Sequence, residues 1–207
     1  MECDAKIPEP EPEAGKPAGP LGRAAAARLR AAAARPITLV GLMGAGKTTV
    51  GKRLAARLGL PFVDADAEIE TASGLSITEI FERFGEAHFR DGERRVIARL
   101  IDGTPKVIAT GGGAFIQPDT RALILKRTLA VWLDADIPTL VERVRKRNTR
   151  PLLKDQDPGE VLARLAEVRN PIYAEAQIRI PSRATPHTET VESIISALAA
   201  ANGKKSS

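Results

Sequence analysis

The chain has 207 residues with a formal net charge of +5, and only 3% of its residues are aromatic. Residues 1–35 hold six Lys/Arg and five Asp/Glu and residues 204–207 hold two Lys, so the remaining body carries about +2. So small a basic excess, with few rings to stack on bases, argues against a general nucleic-acid-binding protein. No apolar run is long enough to span a membrane, and the start lacks a secretory signal pattern, so we expect a cytoplasmic protein.

The first 35 residues differ in composition from the rest of the chain. Residues 1–20 are rich in Pro and Glu, which is typical of disorder. Residues 21–35 contain eight Ala and four Arg and could form a short helix that ends before Pro36. The single cysteine, Cys3, excludes an internal disulfide and suits a reducing compartment. We predict an extension over 1–35, one domain over 36–203 and a short tail over 204–207.

Residues 41–48, GLMGAGKT, match the phosphate-binding pattern G-x-x-x-x-G-K-[ST]. An apolar segment at 37–40 precedes the pattern and a helix-like segment at 49–58 follows it, which is the context that this motif requires. Backbone N–H groups of such a loop surround an anion, Lys47 can reach the outer phosphates and the Thr48 hydroxyl can hold Mg²⁺. The alternative, a glycine-rich turn without a ligand, fits this context poorly.

Residues 61–66 predict a short strand that ends in two carboxylates, Asp64 and Asp66. The carboxyl ends of strands in an open α/β sheet line the ligand crevice, so both acids could face the same phosphates as Lys47. One would hold Mg²⁺ or its waters, and the other would orient or deprotonate an acceptor hydroxyl. The spacing equally allows Asp66 to be only the cap of a helix that begins at Ala67.

Residues 76–79, SITE, form a capping box that opens a helix closing at Gly85, and residues 86–101 again have helical periodicity. In this second segment Arg90 and Glu93 are three residues apart and could pair, although an arginine on such a helix is most often a solvated charge.

A buried strand at 106–110 runs directly into three consecutive glycines. Without side chains, this strand end would let backbone N–H groups approach a ligand closely. A merely flexible turn is the alternative. The glycines are Gly111, Gly112 and Gly113.

A helix at 119–127 and a strand at 129–134 follow. The strand ends in Asp134, which competes with Asp64 as a metal ligand, but we prefer Asp134 or Asp136 as the cap of the next helix.

The densest basic run spans residues 143–150 and is followed by a proline-containing charged segment. We predict a mobile lid over 148–158 that closes on bound phosphates, with a solvated basic face as the alternative. Residues 159–177 predict a helical region interrupted near 169–171, before a strand at 178–181 and a last helix at 188–201. The alternation of strands and helices indicates a parallel sheet with helices on both faces.

These motifs, in this order, resemble the shikimate kinase family over about residues 37–201. The resemblance implies an α/β, three-layer P-loop fold with a five-stranded parallel sheet in the order 2-3-1-4-5. It also implies phosphorylation of the 3-hydroxyl of shikimate by ATP with Mg²⁺, a step of aromatic amino-acid biosynthesis. The matching segments are 41–49, 64–66, 89–90, 111–113, 150–153 and 169–173.

The resemblance also assigns roles to single residues. Lys47, Asp66 and Arg150 are the implied catalytic residues, with Asp66 taking the acceptor proton and Arg150 reaching the phosphates from the lid. Thr48 and Asp64 are implied at the metal, and Glu93 is implied to orient Arg90. The implied nucleotide-binding residues are Gly44, Ala45, Gly46, Lys47, Thr48, Thr49, Arg143, Arg150 and Pro186. The implied shikimate-binding residues are Asp66, Arg90, Gly111, Gly112, Gly113 and Arg169, with Arg90 and Arg169 on the carboxylate.

We therefore expect an enzyme, acting as a monomer on shikimate and ATP, that binds neither nucleic acid nor membrane. Another sugar-acid or nucleoside kinase is the near alternative, although it would not need Arg90 and Arg169 beside three glycines. A P-loop GTPase switch or a catalytically silent nucleotide sensor is the alternative from another class. The guanine-reading pattern N-K-x-D is absent from the sequence, which weakens the switch alternative.

Overall fold

The computed structural model describes residues 34–145, 157–182 and 186–203. In this part of the chain, five parallel strands form one sheet in the order β2-β3-β1-β4-β5, which confirms the predicted fold and strand order. The strands are β1 (Ile37–Val40), β2 (Phe62–Asp64), β3 (Val107–Ala109), β4 (Leu129–Ala135) and β5 (Ile178–Ser182).

The register of the sheet decides which loops meet at its carboxyl edge. Ala109 of β3 pairs with Leu39 of β1 on one side and with Asp64 of β2 on the other. The segments that leave these three strands are therefore neighbours: the phosphate loop, the two aspartates and the three glycines. Chain order separates them by up to about seventy residues, and strand pairing alone brings them together.

Helices cover the sheet, and every residue of the central strand β1 is fully buried beneath them. Within the described residues, no helix combines the length and the apolar composition needed to cross a bilayer. The helices are α1 (Lys47–Leu58), α2 (Ala65–Ser73), α3 (Ile77–Leu100), α4 (Pro118–Arg127), α5 (Ile137–Arg145), α6 (Pro158–Tyr173) and α7 (His187–Gly203).

The helix ends confirm several features that were predicted from short sequence patterns. Ser76 and Glu79 form both bonds of the capping box at the start of α3. Gly85 adopts a non-helical conformation with φ 79°, so α3 is kinked where a helix end was predicted. Asp136 accepts a bond of 2.8 Å from the Thr139 N–H and caps α5, as one of the two alternatives predicted.

One alternative and one expectation about local structure are wrong. Asp66 does not cap a helix at Ala67, because α2 begins at Ala65 and the side chain of Asp64 is its cap. The predicted interruption near 169–171 is also missing: α6 continues through Pro171 and ends at Tyr173, four residues before the predicted end. A proline so near the end of a helix removes only one of the last backbone bonds, so the helix tolerates it.

Candidate active site

The phosphate loop leaves β1 and ends at the first turn of α1. Gly46 caps this helix with φ 90°, a left-handed conformation that favours glycine, and the first turn of α1 contains no acidic residue. The N-terminal N–H groups and the positive end of the helix dipole are thus available to an anion. The Lys47 ammonium donates to the carbonyls of Gly41 and Leu42 at 2.8 and 2.9 Å, which holds it over its own loop.

Thr48 and Asp64 contact each other beside the loop. The Thr48 hydroxyl donates to Asp64 Oδ2 at 2.7 Å, and Asp64 Oδ1 accepts from the backbone N–H of Asp66 at 3.1 Å. Both carboxylate oxygens are therefore oriented by the protein. Hydroxyl and carboxylate oxygens are hard ligands of the kind that Mg²⁺ prefers. Asp134, the competing candidate, instead accepts from Arg179 at 2.6 and 2.9 Å.

Arg90 lies between two glutamates on α3. Its guanidinium contacts Glu93 at 2.8 Å and Glu86 at 3.0 Å, so the predicted Arg90 and Glu93 pair is present. Glu93 is 1% exposed, and this burial raises its pKa above the usual value, with Arg90 opposing the shift and the nearby Asp66 charge adding to it. The arginine is thus fixed by carboxylates rather than extended into solvent.

The three glycines provide room for these charged side chains. A Cβ atom at Gly111 would lie 2.7 Å from Asp66 Oδ1 and 3.0 Å from Glu93 Oε1. A Cβ atom at Gly113 would lie 2.5 Å from Arg90 Nη1. Real Cβ atoms do not come so close to other atoms, so any larger residue would displace Asp66 or Arg90. The glycine segment is therefore the place where the aspartate from β2 and the arginine from α3 converge.

Arg169 is half-buried on α6, one helical turn before Tyr173. Tyr173 is fully buried, and its hydroxyl donates to the carbonyl of Gly112. Burial raises the pKa of Tyr173 to about 12, against the opposing charge of Arg169. The sequence segment 169–173 was singled out, but no role was predicted for Tyr173, because a bond to a glycine 61 residues away leaves no local signal.

Arg143 and His187 lie at the other end of the phosphate loop. Arg143 Nη1 contacts the Ala45 carbonyl and Ser182 Oγ, each at 3.4 Å. Burial lowers the pKa of Arg143 from its usual value. A Cβ atom at Gly46 would lie 3.4 Å from the His187 ring, so this ring packs on the loop. Pro186 itself is exposed.

A cavity of about 300 Å³ joins the phosphate loop to the glycine segment. It brings together most of the predicted site residues, whereas Ala45, Arg90, Gly113, Arg169 and Pro186 lie outside its lining. Met43, Thr110, Val144 and His187 also line it, although none of them was predicted as a site residue. Arg150 and most of the predicted lid lie outside the described residues. The lining residues are Met43, Gly44, Gly46, Lys47, Thr48, Thr49, Asp64, Asp66, Thr110, Gly111, Gly112, Arg143, Val144 and His187.

Comparison with known sequences decides the family. The sequence profile described as shikimate kinase matches residues 43–199. The chain belongs to the shikimate kinase family. A shikimate kinase from Bradyrhizobium diazoefficiens is 56% identical over 172 residues, which cover 83% of each chain. One from Caulobacter vibrioides is 57% identical over 165 residues, which cover 80% of this chain and 82% of the relative.

Solved structures of shikimate kinases share the fold. A shikimate kinase from Acinetobacter baumannii in complex with shikimate is 38% identical, with a TM-score of 0.76 over 79% of this chain and 92% of that one. A gluconokinase from Sinorhizobium meliloti also matches, with a TM-score of 0.56 over 80% of this chain and 92% of that chain. At 20% identity, this second likeness shows the fold alone.

Proposed function

We propose that this protein transfers the γ-phosphoryl group of ATP to the 3-hydroxyl of shikimate, a step of aromatic amino-acid biosynthesis. Membership of the shikimate kinase family supports the activity. The observation that carries the acceptor assignment is the convergence of Asp66 and Arg90 on the three glycines beside the phosphate-loop cavity. This arrangement would place a hydroxylated acid beside nucleotide phosphates held by the loop.

The proposed reaction needs positioning and charge neutralisation more than covalent chemistry. Asp66 accepts the proton of the acceptor hydroxyl as its oxygen attacks the γ-phosphorus and the bond to the β-phosphate oxygen breaks. Lys47 leaves the loop carbonyls for the β- and γ-phosphates, and Arg150 of the lid 148–158 neutralises the moving group. Arg143 and Pro186 would hold the adenine, with the nucleotide phosphates on the loop.

Mg²⁺ fits the pair formed by Thr48 and Asp64. Their oxygens are 2.7 Å apart and are of the hard type, and Asp64 is held in place by the N–H of Asp66. Among the described residues no group of three or more His, Cys, Asp or Glu side chains could hold a metal alone. Such a site depends on nucleotide oxygens and water for its remaining ligands. When bound, the ion would neutralise charge on the phosphates.

Arg90 and Arg169 would bind the carboxylate of the acceptor. A guanidinium forms two parallel bonds with a carboxylate, whereas lysine offers only a point charge. Replacing either arginine with lysine should therefore raise the KM for shikimate by roughly tenfold to a few hundredfold, since charge-assisted bonds contribute about 1.5–3 kcal/mol. The KM for ATP should stay unchanged. A carboxamide analogue should be a poor substrate for the wild type and lose little more with either variant; independent, multiplying losses would contradict this assignment.

An ADP-release assay with and without shikimate tests the activity itself. We expect ADP formation that depends on both shikimate and Mg²⁺. Turnover with gluconate or a nucleoside instead would indicate another small-molecule kinase, and nucleotide binding without turnover would indicate a silent sensor. The cytoplasmic location and the monomeric state expected from the sequence stay predictions.

A further inference from the structure

The three glycine carbonyls are held in different ways. Gly111 accepts a bond from the Ala114 N–H and Gly113 accepts one from the Ile116 N–H, both within the same turn. The carbonyl of Gly112 accepts instead from the hydroxyl of Tyr173, which belongs to α6. The middle glycine is thus tied to a distant helix, while its two neighbours are tied locally.

This bond controls the orientation of a predicted substrate donor. A peptide unit is planar and trans, so the direction of the Gly112 carbonyl also determines the direction of the Gly113 N–H. Glycines populate many backbone conformations, and a run of three has no side chains to limit them. A bond from a rigid, buried side chain therefore restricts the N–H that would face the acceptor.

Tyr173 is well placed to act as such a support. Its side chain is fully buried, and its ring packs beside Phe115 and Trp132 at centroid distances of 6.3 and 6.1 Å. It also lies four residues after Arg169, on the same face of α6. One helix face therefore carries both the predicted carboxylate-binding arginine and the hydroxyl that holds the glycine turn.

From this geometry we infer that Tyr173 is a positioning residue for the acceptor. Its hydroxyl aligns the peptide unit between Gly112 and Gly113, and thereby couples the glycine turn to Arg169. The inference rests on the proposed function, because it assumes that Gly113 and Arg169 bind the acceptor. A core tyrosine without this role would contribute to stability alone.

Tyr173→Phe removes the hydroxyl while keeping the ring in place. We expect the KM for shikimate and its Kd, measured by calorimetry, to rise about tenfold, the loss that corresponds to one hydrogen bond of about 1.4 kcal/mol. The KM for ATP and kcat should change less than about twofold, since the nucleotide contacts remain. In the double variant with Arg169→Lys, the combined loss should be smaller than the product of the two single losses, because both residues support one ligand contact.

Ile194→Val is the matched control. Ile194 is fully buried on α7, away from the glycine turn. The change should lower Tm by about as much as Tyr173→Phe does, because both remove a small buried group, but it should not alter the KM for shikimate. An unchanged KM in Tyr173→Phe, an equal rise of both KM values, or the same KM rise in Ile194→Val would overturn the inference. Should the wild type prefer another acceptor, the proposed function fails, and the same comparison with that acceptor still decides the role of Tyr173.

Discussion

Asp64 and Asp66 are two residues apart, but the protein uses their carboxylates differently. Asp64 accepts from Thr48 and from a backbone N–H, so its oxygens are held towards the phosphate loop. Asp66 lies in the first turn of α2, with its carboxylate against Gly111 and near the buried Glu93. Their different positions at the end of β2 therefore suit Asp64 to binding a metal ion and Asp66 to accepting a proton.

Asp66→Asn keeps the size of the side chain but removes the proton acceptor. We expect turnover to fall by roughly 10²–10⁴, the range of general-base catalysis, with ADP affinity unchanged. Steady-state kinetics and calorimetry would measure the two effects. Asp134→Asn is the control, since its carboxylate is held by Arg179, and it should keep Mg²⁺-dependent activity. If Asp134→Asn abolished that activity and Asp64→Asn spared it, the proposed metal site would be wrong.

The buried carboxyl group of Glu93 should make the stability of the protein depend on pH. Its pKa is raised above 4.5, so the folded protein holds this proton more tightly than the unfolded chain does. The resulting stability is present below the unfolded-state pKa and is lost as the pH rises through the folded-state pKa. Glu93→Gln removes this loss, so the Tm of the variant minus that of the wild type should increase as the pH rises above about 4.5, by about 2–4 °C per kcal/mol of stability.

Glu86→Gln is the matched control for this pH dependence. Glu86 contacts the same arginine, but its side chain is 65% exposed. An exposed pair is well solvated, so the Tm difference from the wild type should be nearly constant over the same pH range. Thermal denaturation in matched buffers would measure both variants. If the Tm difference between Glu93→Gln and the wild type were also constant with pH, burial would not raise the pKa of Glu93.

At the scale of elements, helix α3 and the glycine segment fit together only because a side chain is missing. Gly113 has φ −94° and ψ −17°, a conformation that alanine also adopts, so backbone strain does not require glycine there. The requirement comes from Arg90, whose guanidinium occupies the space of a Cβ atom.

Gly113→Ala should therefore impair acceptor binding more than stability. The added methyl group displaces a guanidinium held by two carboxylates, so we expect the KM for shikimate to rise by about tenfold or more, as for loss of a charge-assisted bond. Gly92→Ala, in the interior of α3 with no atom within 4 Å of its Cβ, should stabilise the fold by about 0.5–1 kcal/mol and leave this KM unchanged. Thermal denaturation and steady-state kinetics on both variants would measure these effects; equal KM increases would contradict the proposed contact.

At the scale of the whole molecule, the elements of the site all follow residue 36. The family match begins at residue 43, and β1 begins at Ile37. Removing residues 1–34 should therefore leave kcat, both KM values and Tm nearly unchanged, as measured by the ADP-release assay and thermal denaturation. A large fall in any of these would show that the extension packs on the domain, and adding it back as a separate peptide would test that contact.

The sequence by itself determined the order of most strands and helices and the phosphate-loop motif between β1 and α1. Strand and helix periodicity, the capping box at Ser76 and the pattern GLMGAGKT depend on residues within a few positions of one another. Such patterns can be recognised from the sequence alone because the interactions that produce them are local. The ordered set of motifs then indicated the family, and with it the strand order 2-3-1-4-5 found in the sheet.

Only the tertiary structure decided how the candidate acceptor site is held. The spacing suggested only Asp66 as a possible helix cap, but α2 begins two residues earlier and Asp64 is its cap. The contact of Glu93 with Gly111, the fit of Arg90 over Gly113 and the bond from Tyr173 to Gly112 join residues that are 18 to 61 positions apart. Periodicity carries no information about such contacts, because they exist only after the parallel strands bring their carboxyl ends to one edge of the sheet.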